Sequence, residues 1–269
     1  MNKITKVILI TLIIILSLIT GVIGYDRFTA NNKYSINEKN LKIPILVYHD
    51  IVENKSEVEF DYMQTTKEIF EKQITGLMNL GYKPISYEDL IAYKNGEEKI
   101  YKKSFLIGFD DGFDGVYKYA YPFAKENNIP ITSFLINDFV GLDGYYTWDN
   151  AREMDKSGVV KIYSHSLKHD NYDTYSKEDL LKDVNASLAQ IEKELGHSVE
   201  KIFTYPCGKF NKEEQEFLRK NGIIQNLTDN KINQSKNLNL SGLHRMYPLN
   251  DPVWKILLKI EYRSIKYGS

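Results

Sequence analysis

A single cysteine, Cys207, stands in a chain of 269 residues. One thiol excludes an intrachain disulfide framework and any cysteine-rich zinc module. Nor is there a basic excess, since 35 Lys and Arg face 36 Asp and Glu. A nucleic-acid binder normally carries a positive patch or stripe, so no nucleic-acid partner is expected. The charge is uneven along the chain. Residues 1–40 hold Lys3, Lys6, Arg27, Lys33 and Lys39 against Asp26 and Glu38, which leaves the remainder net acidic. Histidines number only five, few enough for each to be accounted for, and there is no internal repeat or low-complexity tract. What is present, 42% hydrophobic and 26% charged residues, is a globular composition and excludes a wholly disordered or fibrous chain.

Lys3 and Lys6 precede an apolar run, Val7 to Ile23, broken only by Thr11, Ser17, Thr20 and Gly21. As a helix rising about 1.5 Å per residue, it covers most of a hydrocarbon core of about 30 Å. The lysines place the N-terminus in the cytoplasm and the rest of the chain outside. Residues 1–24 are therefore expected to be a transmembrane anchor, with a signal peptide cleaved near Val22-Ile23-Gly24 as the alternative. The first gives a single-pass cell-membrane protein with an extracellular body, the second a secreted one. With no cysteine near the run, a lipoprotein anchor is excluded. Residues 25–42 are polar and unpatterned and read as a tether.

Residues 43–269 read as one domain. Apolar, β-branched or aromatic runs at 43–49, 83–86, 104–109, 131–136, 159–164, 201–205 and 223–227 are strand candidates. Helical patterns at 67–80, 88–94, 115–127, 148–157, 177–195 and 211–221 separate them. Ser176 suits the N-cap of the fifth, with Asp179 at its third helical position and Gly196 closing it. This alternation predicts an α/β fold, and about seven units favour a distorted (β/α) barrel of parallel strands over an open sheet.

The chemistry-bearing residues gather at the ends of these strands. Gly108-Phe109-Asp110-Asp111-Gly112 follows the run 104–107. Adjacent carboxylates leaving a strand point different ways, so one can bind a metal while the other meets a water. Alone, the Asp-Gly pair could equally be a capping turn. His165-Ser166-Leu167-Lys168-His169 follows 159–164, and histidines at i and i+4 share one helical face and can reach one ion. Both motifs follow parallel strands and so fall on one rim of the sheet. Together they offer one carboxylate and two imidazoles, a three-ligand open metal site. Phe203-Thr204-Tyr205-Pro206-Cys207-Gly208 adds a rigid turn able to aim a backbone N–H into the cleft. Two histidines and a carboxylate also form the facial triad of Fe(II) oxygenases, but those sites sit on a double-stranded β-helix, not on alternating β/α units.

The constellation resembles the polysaccharide deacetylases of the NodB-homology group, carbohydrate esterase family 4, over most of residues 43–250. Phe109-Asp110-Asp111-Gly112 is similar to the family's Phe-Asp-Asp motif, and His165 to His169 to its His-Ser/Thr-x-x-His motif. The resemblance implies that Asp110 is the general base and that Asp111, His165 and His169 bind one divalent ion, Zn2+ first, with Co2+, Ni2+ or Mn2+ as alternatives. Tyr205-Pro206-Cys207-Gly208 resembles the motif whose backbone N–H after the proline holds the oxyanion and substrate. Trp148 to Met154 resembles the helix before the histidine strand, a structural element.

Two departures stand out. Cys207 replaces the usual tyrosine, and the usual arginine upstream is absent, with Phe203-Thr204 in its place. Arg245 is the candidate replacement. The opening Pro44-Ile45-Leu46-Val47-Tyr48-His49-Asp50 resembles the branch acting on poly-β-1,6-N-acetylglucosamine (PNAG), a biofilm exopolysaccharide, in which the first-strand histidine is the acid. His49 is therefore the expected acid and His244 the alternative, while His197, beside Gly196, reads as surface. The expected function is a metal-dependent N-deacetylase acting on an extracellular N-acetylglucosamine polysaccharide, partnered by the membrane and by polysaccharide synthesis or export machinery. The alternatives are a peptidoglycan N-deacetylase and, in another class, a non-catalytic cell-surface carbohydrate-binding protein. The complete set Asp110, Asp111, His165 and His169 argues against the last.

Overall fold

The structure, a computed structural model, describes residues 3–60, 62–172 and 175–267 and, within the N-terminal helix, the side chains of residues 5–17, 21, 29 and 30. Seven parallel strands follow one another around a nearly closed barrel. They are β1 (Ile45–Tyr48), β2 (Ser104–Phe109), β3 (Ile131–Leu135), β4 (Val160–Ser164), β5 (Ile202–Thr204), β6 (Ile224–Leu227) and β7 (Leu243–His244). A parallel bridge between Leu46 and Met246, with Val47 N–H donating to the Met246 carbonyl at 3.0 Å, draws the end of β7 back to β1. β2 is buried along its whole length, as a strand covered on both sides must be, and so reads in the sequence as a continuous apolar run. Its Phe105, Ile107 and Phe109 pack with residues of the surrounding helices, while Leu106 joins Ile45, Phe134, Tyr163, Ile202 and Leu243.

The helices are α1 (Lys3–Ala30), α2 (Lys67–Asn79), α3 (Tyr87–Asn95), α4 (Tyr121–Asn127), α5 (Trp148–Lys156), α6 (Lys177–Leu195), α7 (Lys212–Lys220) and α8 (Val253–Tyr267). Their ends follow from side chains that satisfy orphan amides. Ser176 Oγ accepts from the Asp179 N–H at 3.1 Å, and Gly196 closes α6 at φ 80°. Capping boxes also begin α3 (Ser86 and Asp89), α5 (Thr147 and Asn150) and α7 (Asn211 and Glu214).

Three expectations need correction. Residues 83–86 are not one of the seven barrel strands but a short parallel strand off that path: Lys83–Pro84 pairs beside the start of β2, and the Lys83 and Ile85 N–H groups donate to the Lys103 and Phe105 carbonyls. The seventh position belongs to Leu243–His244, too short to show a pattern. The tether expected at 25–42 is fastened to the body from Thr29 onward. Thr29, Ala30 and Leu41 are buried, Lys33–Tyr34 pairs antiparallel with Ile100–Tyr101, and Lys42–Ile43 pairs with Asn233–Gln234. As for the expected anchor, α1 is helical and its apolar side chains from Val7 to Leu16 are exposed all round. Among the described residues no helix is long and apolar enough to cross a membrane. Met1, Asn2 and the side chains of 3–4, 18–20 and 22–24 within the expected span lie outside the described residues.

Candidate active site

Asp110 and Asp111 leave the C-terminal end of β2 in opposite directions because the backbone turns sharply, Asp111 at φ 71° and Gly112 at φ 86°. A Cβ on Gly112 would lie 3.2 Å from that of Leu135, a tight contact added to a left-handed backbone that side chains rarely adopt. Asp111 faces the histidine loop: its Oδ1 lies 3.2 Å from His165 Nε2 and 3.6 Å from His169 Nε2. The two histidines do not share a helical face. Ser166 (φ 81°) and His169 (φ 61°) are left-handed, and the His169 N–H donates to Ser166 Oγ at 2.8 Å, so a compact loop brings the rings to 5.0 Å between centroids. Seven non-glycine residues have positive φ among the described residues, and Asp111, Ser166, His169 and Cys207 are four of them. Backbone strain is concentrated at this rim, as at many working sites.

The donor set suits a metal ion. His165 Nδ1–H donates to the Thr204 carbonyl at 3.0 Å, which fixes the tautomer and leaves the Nε2 lone pair toward Asp111. Asp111 Oδ1 is buried without a hydrogen-bond partner among the described residues. One ligand atom each from Asp111, His165 and His169 falls within 4.8 Å of the others. A carboxylate oxygen and two imidazole nitrogens converging in this way match the composition of a catalytic zinc site.

Asp110 is 3% exposed and gripped by a buried guanidinium. Arg245 Nη1 donates to Oδ1 and Nη2 to Oδ2, both at 2.7 Å, and Nη2 also reaches Thr228 Oγ1. The Arg245 guanidinium lies 5.5 Å over the Phe134 ring. Burial alone would raise the Asp110 pKa, but the Arg245 charge and hydrogen bonds outweigh it and hold it at about 2. Asp110 is therefore ionised at any physiological pH. The same balance works on His165: burial disfavours its charge, yet the adjacent Asp111 carboxylate and the charge of Asp110 raise its pKa. His169, where burial dominates, is lowered.

His49 follows β1 and is 8% exposed. Its ring lies parallel to Tyr247, 5.8 Å between centroids, and Nδ1 is buried with no partner among the described residues. Burial lowers its pKa, while the charges of Asp110 and Asp111 act the other way, which places the ring in the field of both carboxylates. His244 is turned away, as alternation with Arg245 along an extended strand requires, and its Nδ1 meets Asp229 Oδ2 at 2.9 Å. His197 pairs with Asp155 at the surface.

Cys207 is exposed in a left-handed turn (φ 57°) next to buried Pro206. The Gly208 and Lys209 amides are used within that turn, on the Tyr205 and Pro206 carbonyls. Tyr205, expected beside the substrate, has its side chain in the core instead: its ring packs with Phe203 and Phe210, and its hydroxyl donates to Gln225. Three contributors escaped the sequence reading. Thr204 acts through its carbonyl, Thr228 braces Arg245, and Tyr247 covers His49. Tyr247 stands two residues beyond Arg245, the period of one strand face, which is the signal that could have found it.

A polysaccharide deacetylase family model matches residues 97–225, a span that holds both aspartates, both loop histidines and the Tyr205–Cys207 turn but not His49 or Arg245. The chain is 27% identical over 209 residues to YxkH of Bacillus subtilis (strain 168), covering 78% of this chain and 72% of that protein. It is 26% identical over 210 residues to the poly-beta-1,6-N-acetyl-D-glucosamine N-deacetylase of Staphylococcus aureus (strain MRSA252), covering 73% and 72%. The Streptococcus pyogenes deacetylase PplD in complex with acetate has the same fold, with a TM-score of 0.73 at 23% identity over 82% of this chain and 99% of that one. IcaB from Ammonifex degensii gives 0.70 at 22% identity over 82% and 97%. With the family's two motifs meeting on one rim of its barrel, the chain carries a polysaccharide deacetylase domain (carbohydrate esterase family 4, NodB homology), a hydrolase of amide bonds.

Proposed function

We propose that the chain is a divalent-metal-dependent N-deacetylase that removes acetyl groups from the N-acetylglucosamine residues of PNAG, outside the membrane to which α1 fastens it. The observation that carries the reaction is the meeting of four functions on one rim. Asp111, His165 and His169 form the ligand set, Asp110 is pinned by Arg245, His49 at the end of β1 lies in the field of both carboxylates, and the Cys207 turn follows β5. A bound Zn2+, Co2+, Ni2+ or Mn2+ supplies Lewis acidity toward the acetyl carbonyl and a water.

This chain's residues do the rest. Asp110, held ionised and oriented by the Arg245 fork, accepts a proton from the attacking water. The Cys207 N–H donates to the oxygen that gains negative charge as the carbonyl carbon becomes tetrahedral. His49 delivers a proton to the leaving nitrogen, so the products are acetate and a free glucosamine. The phenol of Tyr247 lies parallel to the His49 ring and covers one of its faces.

Three features support PNAG: a histidine at the end of the first strand, the named activity of the Staphylococcus aureus relative, and a hydrophobic N-terminal helix that suits export. The membrane, and the machinery that makes or exports the polymer, are the partners this reading implies. Acetate release measured side by side on PNAG oligomers, chitin oligomers and peptidoglycan tests it. Fastest release from PNAG is expected. Preference for peptidoglycan would move the substrate to the cell wall, and no release from any of the three would remove the catalytic reading.

A further inference from the structure

α8 is apolar on two sides. Ile256 and Ile260 are fully buried and belong to one core cluster with Phe70, Ile74 and Leu77 of α2. On a separate face, Trp254, Leu258, Tyr262 and Ile265, spaced four, four and three residues apart, are 62%, 59%, 62% and 81% exposed. A helix seated on a core ordinarily turns a polar face outward. Here the outward stripe carries four large apolar side chains, including one of only two tryptophans in the chain.

Cations border this stripe on both sides. By helical position, Lys255, Lys259, Arg263 and Lys266 lie along one edge, where Asp251 pairs with both Lys255 and Lys259 and leaves the edge net positive. Along the other, Leu257 and Glu261, the latter paired with Lys42, line an open basin of about 490 Å3 together with Tyr82, Lys39, Lys102 and Lys103, so four lysines there face one carboxylate. α1 comes down beside the same basin, since Lys102 Nζ donates to Thr29 Oγ1 at 2.7 Å and a Cβ on Gly81 would lie 2.8 Å from that of Ala30. Lys102 and Lys103 immediately precede β2, whereas Asp110 and Asp111 follow it, so the basin and the active rim lie at opposite ends of the strands.

We propose that this flank is a second membrane contact, in which α8 lies in the headgroup region of an anionic bilayer with its Trp254–Leu258–Tyr262–Ile265 stripe toward the acyl chains. This rests on the reading of α1 as the anchor. An apolar stripe carrying Trp and Tyr between rows of Lys and Arg is the pattern of an interfacial helix. The charges choose the occupant. A second copy of the chain would bring the same cationic borders against these, whereas anionic headgroups complement them. The contact would fix the barrel against the surface on one flank and leave the metal-ligand rim open.

Trp254 reports directly. In the full chain carrying Trp148→Phe it is the sole indole, and flotation with phosphatidylglycerol–phosphatidylcholine vesicles containing brominated lipid reads α1 and α8 separately. The chain is expected to float with the vesicles, and brominated lipid is expected to quench Trp254 at least twofold, more strongly than in phosphatidylcholine alone. Adding Leu258→Asp and Ile265→Asp should leave flotation intact and abolish that quenching. Flotation with Trp254 unquenched and open to iodide would confine the membrane contact to α1 and overturn the proposal. Protection from iodide without lipid quenching would mean that protein covers the stripe, which also overturns it. A chain that does not float at all would sink the anchor reading together with this one.

Discussion

Replacing Arg245 with Met tests the coupling on which the site is built. The guanidinium is fully buried and satisfies both oxygens of a carboxylate that is itself 3% exposed. Holding Asp110 at about 2 instead of its ordinary 3.8 corresponds to about 2 kcal/mol in favour of the folded state. That contribution is complete above pH 3.8 and is lost as pH falls through about 2. Removing the arginine does more than cancel it, because burial, the first influence on Asp110, then acts unopposed on a carboxylate with no countercharge. Breaking a buried pair in this way costs about 3–5 kcal/mol, a fall in Tm on the order of 10 °C for a domain of this size. The pH dependence should also change sign. With its pKa now raised, Asp110 is a burden at pH 8 that protonation relieves, so Arg245→Met should gain stability as pH is lowered from 8 toward 5. Denaturant unfolding of the two proteins at pH 5 and pH 8 measures both effects. A double-mutant cycle with Asp110→Asn should return a coupling of about 1–3 kcal/mol. A loss below about 0.5 kcal/mol at both pH values, with additive effects in the cycle, would refute the reasoning.

Asp111→Ala, His165→Ala and His169→Ala should each lose the bound metal and the activity, because three protein ligands leave no redundancy, and metal content by mass spectrometry checks this. Stoichiometric metal retained in any one of them would remove that residue from the ligand set. His49→Ala should keep the metal and slow amide cleavage by about 10²–10⁴, while an activated acetyl ester, whose leaving group needs little protonation, suffers much less. Equal losses on ester and amide would take the acid role from His49. His244→Ala, whose ring pairs with Asp229, should leave both rates near those of the parent.

β2 and β4 are legible in the sequence because each is a buried parallel strand, an apolar run broken in β4 only by half-buried Lys161 before Ser164, and each ends on the residues that do the chemistry. The two carboxylates and two loop histidines follow from that placement. The conformation between His165 and His169 does not. A spacing of four suggests a helix, whereas a local bond from the His169 amide to Ser166 Oγ, with long-range bonds from His165 to the Thr204 carbonyl and from the Leu167 amide to Asp183, holds the left-handed loop instead. β7 is hidden for a different reason: two residues of ladder carry no periodicity, and the closure it provides is made by backbone bonds to residues near 46. Arg245 stands out only through the missing arginine before Tyr205, since nothing local in Leu243-His244-Arg245 announces a partner 135 positions away. The N-terminal segment shows the converse. Polar composition at 25–42 suggests a tether, yet a few backbone pairs and two or three buried side chains suffice to fasten it.

The central claim is that the two adjacent aspartates divide the work, Asp111 on the metal and Asp110 on the proton. Metal content and acetate release of Asp110→Asn, measured on the same preparation, test it most directly. The account predicts one bound ion per chain, as in the parent, with acetate release from PNAG oligomers reduced at least about a hundredfold, the scale of a lost general base. An Asp110→Asn protein that has lost its metal, or one that keeps the metal and releases acetate at the parent rate, would contradict it.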